Sequence, residues 1–231
     1  MDVLGARTVP KSSGTSESSK LTSAFILGSP HPSTTSVLKR CVDVVGSLIG
    51  LWFLAIIYLP IVVAIKLNSP GPVFYSQIRC GLQGKTFRLR KFRSMVSNAE
   101  DLRKYVKNEG SNLFFKNNAD PRVTKVGQFL RKTSLDEFPQ FWNVLIGDMS
   151  LVGTRPPLPD ETAHYSPRHW QRLHVKPGIT GEWQVSGRSD VKDFEQVLDL
   201  DLKYQDCWSV LYDLKIILKT LQVVFVRKGA Y

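Results

Sequence analysis

The chain holds 231 residues, enough for one domain with appendages, and its 31 Lys and Arg against 20 Asp and Glu give a formal net charge of +11. That balance suits an anionic partner, whether nucleic acid, acidic lipid head groups or a phosphorylated substrate, and does not choose among them. Cys41, Cys80 and Cys207 form no CxxC and no Cys/His pair at zinc spacing, and their odd number does not suggest a disulfide framework, which fits reduced thiols facing a cytosol.

Residues 1–36 are rich in Ser, Thr, Pro and Gly and poor in large apolar side chains, so they are expected to be disordered. The apolar patch at Phe25–Leu27 is too short for a signal peptide. After Lys39-Arg40 the texture changes, and Val44 to Ile65 carries no charge. As a helix these ~22 residues reach roughly 33 Å, about one hydrocarbon thickness. Pro60 lies inside the run and should kink or break it. Basic residues flank both ends, Lys39 and Arg40 before and Lys66 after, so charge gives no clear direction across a bilayer. A helix that enters, breaks near Leu59-Pro60 and leaves on the same face satisfies both facts. A kinked single-pass helix is the competing arrangement.

From Asn68 the chain is globular in character. Ser69–Gln77 reads as a turn and a short strand, and Lys85–Phe92 alternates apolar and basic residues like a half-buried strand. Asn98–Lys107 reads as a helix, Gly110–Pro121 as a polar loop and Val123–Arg131 as a short helix. Ser134 is expected to cap a further helix with Asp136 and Glu137 in its first turn. That helix would carry Phe138, Phe141, Trp142 and Leu145 as one apolar stripe and stop at Gly147. A Pro-rich loop, Thr154–Pro159, leads to helical signal over His164–His174. The five-residue spacing of His164, His169 and His174 does not stack them on one face, so they read as solvent-facing or locally bonded. Residues 176–188 are turn-rich, and Val191–Tyr204 and Ser209–Arg227 read as helices. The last is amphipathic with a basic end, which suits a bilayer surface and equally an ordinary core.

Three features could carry chemistry. Asp136-Glu137 follows Arg131 and Lys132 and precedes the apolar stripe. Ionised carboxylates beside cations can bind Mg²⁺, and an Asp can attack phosphorus directly. The cations Arg79, Lys85, Arg88, Arg90, Lys91, Arg93, Arg131 and Arg155 could recognise phosphate or form a solvated face. Aromatics are not interleaved among them as stacking platforms, which disfavours nucleic acid, and no Walker or GxGxxG loop is present. Two Gly/Pro loops, 147–159 and 176–188, place Arg155 and Arg188 on turns.

The sequence KR-x2-D before the apolar run, SPGPVFYSQ, KFRSM, DPRVTKVGQFLRKTSLDEFPQFWNVLIGDMSLVGTRP, PGITG-x-WQVSGR and a final RKGAY closely resemble the bacterial sugar transferases, from about Val37 to Tyr231. These are monotopic phosphoglycosyl transferases, and the chain is similar to their minimal form and to the exopolysaccharide hexose-1-phosphate transferases. The resemblance implies transfer of sugar 1-phosphate from a UDP-sugar to polyprenyl (undecaprenyl) phosphate, with release of UMP. It implies Asp136 as nucleophile through a phosphosugar-aspartate, and Glu137 with Asp136 as Mg²⁺ ligands. It makes Arg131 and Arg155 phosphate contacts, Lys91 and Arg93 part of a basic motif, and Asp213 a late site-adjacent acid. The chain departs from the family's common pattern at Thr154, Leu59 and Glu182.

The expectation is thus an α+β, mainly helical, monotopic membrane protein. It has a disordered segment (1–36), a re-entrant membrane helix (37–67) and a catalytic domain with a small strand element (68–231), on the cytoplasmic face of a bacterial inner membrane. Its partners would be a UDP-sugar, polyprenyl phosphate and membrane lipids, with no nucleic acid. The apolar surface leaves room for a homodimer. A non-catalytic membrane-anchored scaffold of a polysaccharide assembly complex and a membrane-tethered DNA binder are the alternatives.

Overall fold

A computed structural model of the chain describes residues 30–108, 117, 119–187 and 193–226. The expected loop at 110–121 falls mostly outside these residues, as do Arg188 and the C-terminal RKGAY. Residues 30–36, expected to lack order, form a helical turn, α1 (Pro32–Thr35), started by Pro32 and capped by His31. His31 also bonds the Gln205 carbonyl through Nε2 (3.1 Å).

Ser36 then caps α2 (Val37–Asn68), its hydroxyl accepting from the Lys39 amide. Among the described residues α2 is the one helix long and apolar enough to cross a membrane. Helical conformation continues through Pro60, so the break expected at Leu59-Pro60 is not an interruption of the helix. Much of its apolar surface, including Leu48, Trp52, Ile56 and Leu59, is exposed. Its buried side holds Lys39, Asp43, Ser47 and Gly50 in the first half and Ile61 and Ile65 in the second.

A hairpin follows. β1 (Phe74–Cys80) pairs antiparallel with β2 (Thr86–Phe92), Phe74 opposite Phe92 and Cys80 opposite Thr86. Residues 98–107 do not form the expected helix but turns and one 3₁₀ turn, Arg103–Tyr105. Tyr105 is exposed and no apolar face of this stretch is buried, so tertiary packing does not support a longer helix. α3 (Lys125–Lys132) begins at its Thr124 cap.

The expected helix from Ser134 is also corrected. Ser134 adopts a left-handed conformation (φ 55°) and caps nothing. Asp136 and Glu137 lie in a 3₁₀ turn, Leu135–Glu137, and α4 (Gln140–Ile146) starts only after Pro139. Pro139 has no N–H to give the Leu135 carbonyl. The turn tightens instead, and the Phe138 amide bonds Leu135 (3.3 Å). Gly147 ends α4 at φ 94°, as expected of a glycine stop.

A short parallel pair completes the sheet structure. β3 (Ser150–Val152) runs beside β4 (Gly178–Thr180), the crossover holding the single turns α5 (Pro159–Thr162) and α6 (Pro167–Trp170). α7 (Glu182–Val185), α8 (Phe194–Asp206) and α9 (Val210–Val226) follow.

Small apolar clusters tie these pieces to α2. Ile61 and Ile65 pack with Phe92 and Leu130, and Leu135 lies against them. Gly50 lets the Phe141 ring approach the α2 backbone so closely that a Cβ would collide with it. The helical domain therefore touches α2 along both halves. The stripe of α4 accordingly faces α2 through Phe141, while Trp142 and Ile146 stay exposed and Gln140, Asn143 and Val144 are the buried side.

Candidate active site

Leu135 is pinned by the α2 cluster, which fixes the 3₁₀ turn and the acids that follow it. Asp136 is 7% exposed. Glu137 Oε1 accepts from Lys91 Nζ on β2 at 2.6 Å. Arg131, near the end of α3, donates from Nε to Ser94 Oγ (2.9 Å). Burial lowers its guanidinium pKa, and the charges of Asp136, Asp120 and Glu137 work against that fall. A second buried ion pair sets the Ser94 segment: Arg122 grips Asp120 with Nε and Nη2 (2.9 and 2.7 Å), and the Thr124 amide bonds the Ser94 carbonyl. Asp136, Glu137, Lys91 and Arg131 are thus brought together.

Arg155 comes from the loop after β3. The Arg155 Nη1 donates to Glu161 Oε2 (3.2 Å). Arg79, on β1, feels the charges of Arg155, Glu161 and, less strongly, Glu137. Its guanidinium is lowered to about 10 by burial and by the neighbouring Arg155. Arg79 is spoken for: Nη1 donates to the Pro156 carbonyl (2.9 Å), and Nε and Nη2 to Gln77 Oε1. Arg79 was among the cations expected to meet phosphate; Glu161 was missed in the sequence. The signal available was an acid three residues into a Pro-started turn, six residues after Arg155.

Two expected residues are placed elsewhere. Arg93 donates to the Ser69 and Pro70 carbonyls (2.7 Å each) and to Ser69 Oγ, closing the turn that leaves α2. Asp213 on α9 is buried against Lys39 Nζ (2.6 Å), Tyr204 OH (2.8 Å) and Trp208 Nε1 (3.3 Å), a network that joins α9 to the first turns of α2. The remaining cations Lys85, Arg88 and Arg90 lie exposed along the hairpin.

The histidines are locally bonded: His164 meets the Asp160 carbonyl, and His169 is buried between the Ser166 amide and Glu195. The three cysteines are free thiols.

For Mg²⁺, the donor chemistry of the Leu135–Glu137 turn fits: two adjacent carboxylates offer hard oxygens. Mg²⁺ commonly takes one or two protein carboxylates and completes its shell with water and substrate phosphates. Among the described residues no group of three or more His, Cys, Asp or Glu side chains is arranged to hold a metal by itself.

Comparison with known proteins gives the family. The pattern of the family described as bacterial sugar transferase matches residues 34–227. The galactosyl transferase CpsE of Streptococcus agalactiae is 49% identical over 196 residues, covering 84% of this chain and 43% of that protein. The UDP-glucose:undecaprenyl-phosphate glucose-1-phosphate transferase of Escherichia coli is 41% identical over 209 residues, covering 87% of this chain and 43% of its own length. The exopolysaccharide production protein ExoY of Sinorhizobium fredii is 37% identical over 209 residues, covering 84% of this chain and 88% of that protein. The chain spans less than half the length of the first two and most of the third. With its family pattern covering nearly all the described residues, the chain belongs to the bacterial sugar transferases.

Proposed function

We propose that the chain transfers sugar 1-phosphate, as a hexose 1-phosphate, from a UDP-sugar to polyprenyl (undecaprenyl) phosphate, releasing UMP and starting an exopolysaccharide or related glycan. The observation that carries this reading is Asp136, a buried carboxylate beside Arg131 and next to the Glu137–Lys91 pair. The names of the relatives, which specify undecaprenyl phosphate, UDP-glucose and exopolysaccharide production, support the same substrates.

In this mechanism a carboxylate oxygen of Asp136 bonds to the sugar-bearing phosphorus. The bond from that phosphorus to the bridging oxygen breaks, and its electron pair leaves with UMP. An oxygen of polyprenyl phosphate then attacks the same phosphorus, and the Asp136–phosphorus bond breaks to restore the carboxylate. Arg131, Lys91 and Arg155 offset the charge of the two phosphorylated substrates. Glu137 and Asp136 would hold Mg²⁺, which when bound stabilises charge on the departing phosphate.

The chain sits, in this reading, on the cytoplasmic face of a bacterial plasma membrane with α2 re-entrant, bent at Pro60 rather than interrupted there. Contacts to one domain from both halves of α2 support this arrangement, since a spanning helix would drag that domain through the bilayer. The test is direct. Purified protein with Mg²⁺, UDP-hexose and polyprenyl phosphate should release UMP, and Asp136→Asn should cut the rate on the order of 10³-fold or more. Folded protein that releases no UMP from any common UDP-sugar would favour the scaffold instead.

A further inference from the structure

We infer that Glu161 is the positioning residue for Arg155, its charge holding the Arg155 guanidinium in place. The inference rests on the transferase reading above.

Glu161 is 4% exposed and sits in the third position of α5. Its Oε2 accepts from the Leu158 amide at 2.8 Å and from Arg155 at 3.2 Å. Its Oε1 is buried with no hydrogen-bond partner among the described residues. A cap for one short turn does not require this: an amide or hydroxyl would serve the Leu158 N–H without burying a charge. Burial opposes ionisation of Glu161, yet Arg155, the Leu158 amide and Arg79 together hold its carboxyl below the usual range. The acid is therefore charged because of the arginines.

The converse also holds. Arg79 and Arg155 repel each other, and Arg79 is further weakened by burial. The loop that carries Arg155 is held firmly around the acid. Arg79 binds the Pro156 carbonyl, the Cys80 amide binds Pro157 (2.9 Å), and Thr154 is bonded to the Arg172 carbonyl (3.0 Å). The backbone from Thr154 to Pro157 is thus fixed by bonds that do not involve Glu161, and Glu161 is the carboxylate that fixes the guanidinium itself. An oriented guanidinium can meet a phosphate bidentately, and the charge of Glu161 is what secures that orientation for Arg155.

The experiment is a double-mutant cycle on the detergent-purified full chain, read by UMP release at varied UDP-sugar. Glu161→Gln keeps the shape and the acceptor for Leu158 and removes the charge. Expected is a fall in kcat/KM of about 10- to 100-fold, in the range of coupled neighbours. Made in the Arg155→Ala background, the same change should cost less than about twofold, because its target is gone. Glu161→Asp, which retains the charge, should recover part of the loss and decides the matter if the Gln variant folds poorly. A Gln variant equal to wild type, or a full loss that persists without Arg155, overturns the inference while wild-type activity keeps the transferase reading. A folded wild type that releases no UMP overturns that reading and this inference with it.

Discussion

Asp136 and Glu137 share a turn but not an environment. Glu137 is half-buried and locked to Lys91, whereas Asp136 is nearly enclosed beside Arg131. This difference suits a division of labour between a nucleophile and a metal-side acid. The grouping of Asp136, Glu137 and Arg131 was legible because these residues are neighbours in sequence. Arg79 was read as a candidate cation, but its contact with the Arg155 loop and the role of Glu161 were not legible, since they depend on how β1 meets the loop after β3, and no local period encodes that. The Lys39–Asp213 pair was hidden for the same reason. Both side chains are almost fully buried, 5% and 3% exposed. Lys39→Met would leave Asp213 charged and without its cation, and should destabilise the protein by about 3–5 kcal/mol. A lowered unfolding midpoint in detergent checks this, and Lys39→Met combined with Asp213→Leu should recover much of the loss.

At the scale of elements, α2 was plain from composition, and its geometry was not. The charge-free run and Pro60 suggested a break, while the helix continues through the proline. The start of α4 was misjudged because Ser134 looks like a cap, yet Pro139 dictates where regular hydrogen bonding can begin. The re-entrant proposal makes a specific prediction. With the exposed Cys41 and Cys207 replaced, cysteines at Ser36 and at Pro70 should both resist an impermeant reagent applied from the periplasmic side. Labelling at one of the two alone would show a spanning helix and refute it.

For the whole molecule, two forces could hold the chain to a membrane: its net charge of +11 and its exposed apolar surface. They differ in their response to salt. At 1 M salt the screening length falls to about 3 Å, which removes most attraction to acidic head groups. Burial of apolar side chains, about 1.5–3 kcal/mol for each large one, is not weakened by that screening. Exposed Trp52, Ile56 and Leu59 on α2, Trp142 on α4, and Leu211 and Leu218 on α9 supply many such side chains. The chain should therefore stay with membranes through a 1 M NaCl wash and leave them in detergent, as followed by immunoblot of the two fractions. The mixed, mainly helical architecture was readable from element patterns. The parallel β3–β4 pair was not, because three-residue strands carry no periodic signature.

The clasp between Lys39 and Asp213 links positions 174 residues apart, so its two halves are born at different times. At a synthesis rate of 5–20 residues per second, roughly 9–35 s separate the emergence of the lysine from that of its partner. Throughout that interval the ammonium at the head of the apolar helix must remain in contact with water or lipid phosphates. Only when α9 arrives can the charge be withdrawn from the interface. The anchor is thus free to find its depth first, and arrival of α9 locks the depth it has found.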